Sequence, residues 1–257
     1  MPQKEDRTPA TLRAFAVLEA LAAADQPATL ARLVESCKLP KPTVYRMLAM
    51  LEQAGLVWRE PASRGYTPGP RLAALGRDVM LNGSLRAERH SILARLVEVI
   101  GETCNFTMLD GAEVVYLDRV EAAWPLRVTL SPGSHVPLHC TASGKLLLAL
   151  LPKAARTRLL AHLALSRHTD TTITDGKRLA AELAQIRASR FATDNEEYHA
   201  GLVCVAVPVM DARRRACAAI AVQALASRMP LRRALEHLPV LRSAADAMAA
   251  TVAEKPA

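Results

Sequence analysis

The sequence predicts an α+β protein in two parts. A winged helix-turn-helix is expected over residues 8–70, a linker helix over 71–90, and a mixed helix-and-strand domain built on a central antiparallel sheet over 91–253. Three observations predict this. Three short helical stretches with apolar stripes, the second and third separated by one tight connection, run straight into a hairpin pattern. From Cys104 the apolar period changes from helical to strand-like. The stretch between them is helical but has no clean apolar core of its own, and reads as a linker that also carries a dimer contact.

The elements follow in order. Thr8 is placed to cap the first helix, with Pro9 at its first helical position and Leu12, Phe15, Val17, Leu18 and Leu21 on a broad apolar face. Thr29 caps a second helix with Leu30, Leu33, Val34 and Cys37 inward. After Lys38-Leu39-Pro40, a third helix spans about 41–54 with Val44, Met47, Leu48 and Leu51 inward, and Gly55 stops it. Residues 56–59 read as a strand, 60–65 as a loop and Tyr66-Thr67 as the return strand. A further helix is expected over 91–100. Residues 105–109 and 113–117 form a hairpin around Asp110-Gly111. A strand over 126–130 follows, then a helix from about Ala142 and two more over about 153–162 and 175–189. Two apolar strands, 202–208 and 217–223, precede a last helix over about 230–252.

Composition bounds the function. Of 257 residues, 51% are hydrophobic and 23% charged, an ordinary globular mixture that excludes a disordered chain. No apolar run approaches the roughly 18 residues of a membrane span. The opening MPQKEDRTPA mixes acids and bases and has no apolar core, unlike a signal peptide. A cytoplasmic, membrane-free protein is expected. Five scattered cysteines without a CxxC pair argue against a disulfide framework or zinc ribbon. The net charge of +8 favours an acidic partner such as nucleic acid, while 4% aromatics argues against a stacking platform for single strands.

The third helix carries the chemistry of the first part. Lys41, Thr43, Tyr45 and Arg46 point outward, with Pro42 at its start and no side-chain cap before it, so its first amides are expected to be free for a phosphate of duplex DNA. Lys41 and Arg46 suit phosphate or guanine, Thr43 and Tyr45 suit thymine methyl or backbone, and Arg59 and Arg64 of the wing suit phosphate or a minor groove. The alternative is a merely solvated basic face. Arg119 and Arg127 read as surface charges.

Enzymatic readings fail on spacing. Ser143-Gly144-Lys145 lacks the first glycine and the final Ser or Thr of a P-loop, and neither GxSxG nor HExxH occurs. His199 and Cys204 have no orienting group. Adjacent His139 and Cys140 at most seed an accidental metal site, so neither a metal nor another cofactor is expected.

Three motif groups in order, LPKPTVYRMLAML (39–51) with Gly55-Leu56-Val57, Gly65-Tyr66 and Gly69, then Val115-Tyr116-Leu117-Asp118 with HCTASGKLLLA (139–149), then TDNEEYHAGLVCVAVPV (193–209), resemble the IclR family of bacterial transcriptional regulators over nearly the whole chain. The resemblance implies a GAF-like effector-binding domain and a homodimer or homotetramer. It also implies a pocket lined by Cys140, Thr141, Ala142, Ser143 and Gly144, by Asp194 and Cys204, and by the strand carrying Ala221 and Gln223. The residues themselves agree with a site for a small-molecule effector: amides and hydroxyls at the start of a helix suit a carboxylate. Thr141 and Ser143 otherwise simply cap the helix, Asp194 binds loop backbone, and Cys140 and Cys204 fill space. Where the family usually shows Gly before the third motif, Ser189-Arg190-Phe191 stands, and Ala221 and Gln223 replace Ser or Gly. The expected function is a ligand-responsive DNA-binding regulator whose operator affinity a small organic acid modulates. The alternatives are a C-terminal domain that only dimerises, or a hydrolase using a pocket thiol.

Overall fold

The computed structural model describes residues 8–24, 26–61, 63–82, 86–125 and 130–252. The opening heptapeptide, Arg127 and most of the strand expected over 126–130 lie outside them. The chain divides into two compact units, 1–79 and 80–257. Among the described residues no helix is long and apolar enough to cross a membrane.

The first unit is α1 (Ala10–Ala22), α2 (Leu30–Cys37), α3 (Lys41–Gln53), β1 (Val57–Arg59) and β2 (Tyr66–Pro68), the two strands antiparallel with Trp58 opposite Thr67. Ala28 adds a single antiparallel bridge to Tyr66. The expected capping of α1 is corrected: Pro9 is the cap residue and no side chain caps. Thr29 does cap α2, accepting from the Arg32 N–H at 3.3 Å. Lys38, at φ +53, turns the chain into the left-handed region so that Leu39 drops into the core and α3 starts at once. That core is Val17, Leu21, Leu33, Leu39, Val44, Met47, Leu48, Val57 and Tyr66 with Ala28. Leu12 and Phe15, expected inward, are 57% and 56% exposed; at 3.6 residues per turn both point well away from the side of α1 that buries Val17 and Leu21.

Helix α4 (Pro70–Asn82) follows. The second unit holds α5 (Arg86–Ile100), β3 (Thr103–Asp110), β4 (Glu113–Val120), β5 (His135–Pro137), α6 (Ala142–Leu150), α7 (Lys153–His162), α8 (Gly176–Ser189), β6 (Ala192–Asn195), β7 (Leu202–Met210), β8 (Ala216–Leu225), α9 (Leu231–Glu236) and α10 (Leu238–Val252). The strands form one antiparallel sheet in the order β5-β4-β3-β8-β7-β6. The α+β class is as the sequence predicts. The single closing helix is not: it breaks at His237, because Pro239 has no N–H to donate back to Leu235.

The two-residue period of the strands divides the interior. Val203, Val205, Val207 and Val209 of β7 and Ile220 and Val222 of β8 face a core shared with α5 and α10. Ala206, Ala219 and Ala221 face the other core, made with α6 and α8. Small residues on this second face let α6 lie close to the sheet. Helix α6 is buried from Ala142 to Ala149 and apolar nearly all round, as a helix enclosed on every side must be. Its polar exceptions are Ser143 and Lys145.

Candidate functional site

On α3 the structure exposes what the sequence turns outward. Lys41, Pro42, Tyr45 and Arg46 are exposed and Thr43 is half-buried, while Val44, Met47 and Leu48 are buried beneath them. Tyr45 is 54% exposed, so its ring and hydroxyl are open to a partner. Arg59 and Arg64 are exposed on the hairpin, and the Arg59 guanidinium lies 5.5 Å from the centre of the Tyr66 ring, which holds it over the strand pair. The amide supply is smaller than the sequence alone implies. Pro42 has no N–H, and the Thr43 and Val44 N–H groups donate to the Pro40 carbonyl at 2.9 and 3.1 Å. Among the described hydrogen bonds, only the Lys41 N–H of this first turn lacks an acceptor. Side chains, more than the helix terminus, are therefore what this face offers an anion.

In the second unit a hollow opens between the start of α6 and the sheet. Its lining is Tyr116, Leu130, Val136, Thr141, Ala142, Ser143, Asp194, Tyr198, Leu202, Cys204 and Gln223. The free space is about 20 Å³, against about 10–15 Å³ for one water. Of the residues expected here, Cys140, Gly144 and Ala221 stand outside the lining. Ala221 is buried in the apolar cluster under α6, and Cys140 is turned away toward His168. A side-chain carbon on Gly144 would sit 2.6 Å from the Leu138 Cα and carbonyl oxygen and 2.5 Å from the Thr141 hydroxyl. That glycine exists for close packing.

Thr141 takes the capping role that stood as an alternative. Its hydroxyl donates to the Pro137 carbonyl at 2.6 Å and accepts from the Gly144 N–H at 3.2 Å. The Lys145 N–H closes on the Thr141 carbonyl at 2.9 Å. The amides of Ala142 and Ser143 have no acceptor among the described hydrogen bonds, and both residues line the hollow. Two helix-terminal N–H groups beside a Ser hydroxyl are a small anion cradle.

Asp194 lies across from it on β6, 3% exposed. One carboxyl oxygen accepts from the Glu197 N–H at 2.7 Å and the Tyr198 N–H at 3.4 Å. Burial above all pushes its pKa up to about 7, with the Glu197 carboxylate adding to the rise and the two amides and Lys145 opposing it. Burial pushes the Cys140 and Cys204 thiols and the Tyr116 hydroxyl up, with the Asp194 charge adding to each rise, so they stay protonated at neutral pH. A protonated Cys204 is no nucleophile, which removes the physical basis of a thiol hydrolase.

Because the folded chain favours the protonated carboxyl, Asp194 contributes no penalty below its unfolded value near 4. Stability then falls as pH rises from about 4 to about 7, by at most about 1.4 kcal/mol for each unit crossed. Asp194→Asn is expected to melt higher than the parent at pH 8, with the gap closing toward pH 4. Parallel melting curves for the two proteins across that range would show that the carboxyl is not held neutral.

Sequence reasoning missed the floor of this region. Arg119, expected on the surface, is buried: its guanidinium donates to Asn105 Oδ1 at 2.9 Å and to Gln223 Oε1 at 3.0 Å. The three residues sit on β4, β3 and β8, one face of the sheet, so Gln223 presents to the hollow an amide already oriented by an arginine. The strand pattern did carry a signal, since polar residues alternate there with the buried Cys104, Phe106 and Val222. Behind the cradle, Lys145 is fully buried, and its ammonium pairs with Glu197 and, at 3.3 Å, with Glu182. Thr169 and Thr172 hydroxyls hold the Glu197 carbonyl, which fixes the loop after Asp194.

Comparison with known proteins agrees with both halves. The family model "IclR helix-turn-helix domain" matches residues 10–61, and "Bacterial transcriptional regulator IclR C-terminal" matches residues 78–250. SauR of Cupriavidus necator is 52% identical over 245 residues, 95% of this chain and 97% of SauR. The crystal structure of the Thermotoga maritima IclR superposes with a TM-score of 0.63 at 28% identity, covering 94% of this chain and 98% of that one. The inducer-binding domain of the PobR transcription factor from Acinetobacter, a double mutant in complex with 3-hydroxybenzoic acid, superposes with a TM-score of 0.59 at 28% identity, covering 65% of this chain and 98% of that one. These relatives are transcriptional regulators, not enzymes. The chain belongs to the IclR family of bacterial transcriptional regulators, with a helix-turn-helix DNA-binding part and an IclR-type C-terminal effector domain.

Proposed function

We propose that the chain is a cytoplasmic, ligand-responsive regulator whose operator affinity is set by a small organic acid bound between α6 and strands β6 to β8. Residues 8–70 read the operator, 71–90 link, and 91–253 hold the effector. Two or four copies assemble so that α3 of each reads one half-site. Lys41, Pro42, Thr43, Tyr45, Arg46, Arg59 and Arg64 form the DNA face. The observation that carries the effector class is the pairing, across one hollow, of two unengaged α6 amides and Ser143 with the buried Asp194 carboxyl, which burial pushes up to about 7. The amides accept an anionic oxygen, and protonated Asp194 donates to a second oxygen or a hydroxyl. The complex of PobR's domain with 3-hydroxybenzoic acid supports the same class of ligand. A coupling of about 1–3 kcal/mol between the two sites changes operator affinity about 5–150-fold.

Gel shifts on the DNA upstream of the chain's own gene, with and without a panel of aromatic and aliphatic acids, test the whole reading. At least one acid is expected to move the shift and to raise the melting temperature, and Ser143→Ala is expected to lose both effects. Stabilisation by no acid, with DNA binding intact, would leave a domain that only dimerises. Arg46→Ala is expected to weaken operator binding and lower the slope of affinity against salt by about one, leaving acid binding unchanged. Replacing Tyr45 is expected to change sequence preference more than that slope. Equal loss of DNA and acid binding in Arg46→Ala would mean that Arg46 holds the fold instead.

A further inference from the structure

One residue before the cradle, the chain gathers three metal-ligating side chains that no part of the proposed function uses. His139 and Cys140 end the segment leading into α6, and the chain returns after α7 to bring His168 against them. One ligand atom from each lies within 4.8 Å of the others. The His139 and His168 rings are 5.8 Å apart between centres. A tetrahedral zinc ion with bonds of about 2.0–2.3 Å places its ligands about 3.3–3.8 Å apart, so the set needs to draw in by about 1–1.5 Å at most, and the exposed His168 ring has room to move.

The second observation is the state of His139. The residue is 1% exposed, and its Nε2 faces the Ser166 carbonyl at 2.8 Å. A carbonyl only accepts, so Nε2 carries the proton and Nδ1 holds a lone pair. That Nδ1 is buried and has no hydrogen-bond partner. An imidazole anchored through one nitrogen to a backbone carbonyl, with the other nitrogen left unpartnered, is how metal-binding histidines are oriented. Tyr198 packs edge-on against His168, 5.1 Å between centres, and limits its swing.

We propose that His139 Nδ1, the Cys140 thiolate and a ring nitrogen of His168 form a zinc site with three protein ligands and one open position. Two imidazoles and a thiolate select a borderline-soft ion such as zinc over magnesium or calcium. Binding converts the Cys140 S–H to a zinc-bound thiolate and releases one proton to solvent, so affinity rises with pH. The site abuts the effector hollow through Thr141 and Tyr198, which line it, but its existence does not depend on the effector reading.

The test uses the full chain without an affinity tag, stripped with a chelator and titrated with zinc against a chromophoric competitor. One zinc per chain is expected. Cobalt in its place is expected to give a thiolate-to-metal charge-transfer band that Cys140→Ser abolishes. His168→Ala, at an exposed position, is expected to weaken zinc binding roughly tenfold or more with the fold retained by circular dichroism. Failure to bind zinc stoichiometrically, or binding undiminished in either Cys140→Ser or His168→Ala, overturns the proposal.

Discussion

Lys145→Met is expected to lower the stability of the second unit by about 3–5 kcal/mol. The side chain of Lys145 is 1% exposed and its ammonium pairs with Glu197 and Glu182. Methionine fills nearly the same volume, so the loss is electrostatic. Glu197 is left buried beside Asp194 with no cation, and one of its carboxyl oxygens already has no partner. Burial already raises the Glu197 pKa, and Lys145 is the largest influence holding it down. Scanning calorimetry of the full chain reads the effect as a lowered transition for this unit, with the transition of residues 1–79 unmoved. The companion variant Lys145→Met with Glu197→Gln is expected to recover most of the loss, because a neutral amide needs no counter-charge. A single variant as stable as the parent would mean that the pair contributes nothing to the fold.

Gly144→Ala is expected to cost about 2–5 kcal/mol, the sum of overpacking and a lost helix cap. The added methyl has no flexible neighbour to displace. Two of its three nearest atoms belong to the Leu138 backbone, and the third is the capping hydroxyl of Thr141. Relief requires moving the whole start of α6 away from the segment before it. That shift also moves the Ala142 and Ser143 amides, so acid binding is expected to fall further than stability alone explains. Thermal melting and an acid titration on the same preparation separate the two effects. Unchanged melting would mean that the segment before α6 yields freely.

The sequence made the helices and the long strands legible wherever the apolar period was clean, as in α3 and in the valines of β7. It was silent where an element is defined only by its neighbour. β5 and β6 are three and four residues long, too short for a period, and exist because β4 and β7 offer them edges. The break at His237 was written in Pro239, but an apolar stripe continuing on both sides masked it. For the site, the helix start and Asp194 were legible because each belongs to one local motif. Arg119, Asn105 and Gln223 were not, since three strands distant in sequence bring them together. The same holds for His168, whose meeting with His139 depends on the return of the chain after α7. Thr141 shows the reverse limit: its type allowed both capping and ligand contact, and only the distances to Pro137 and Gly144 show that it caps.

On the proposed reading, the smallness of the hollow bears on the timing of the response. An engineered cavity of about 150 Å³ takes up benzene, and this one has about 20 Å³ free. An aromatic acid bound here as proposed needs the hollow to widen, and its apparent affinity is then reduced by the fraction of the protein that is wide enough to admit it. Uptake is expected to level off as acid concentration rises, at the rate of spontaneous widening. Related acids would then enter at one common pace and differ in how long they stay.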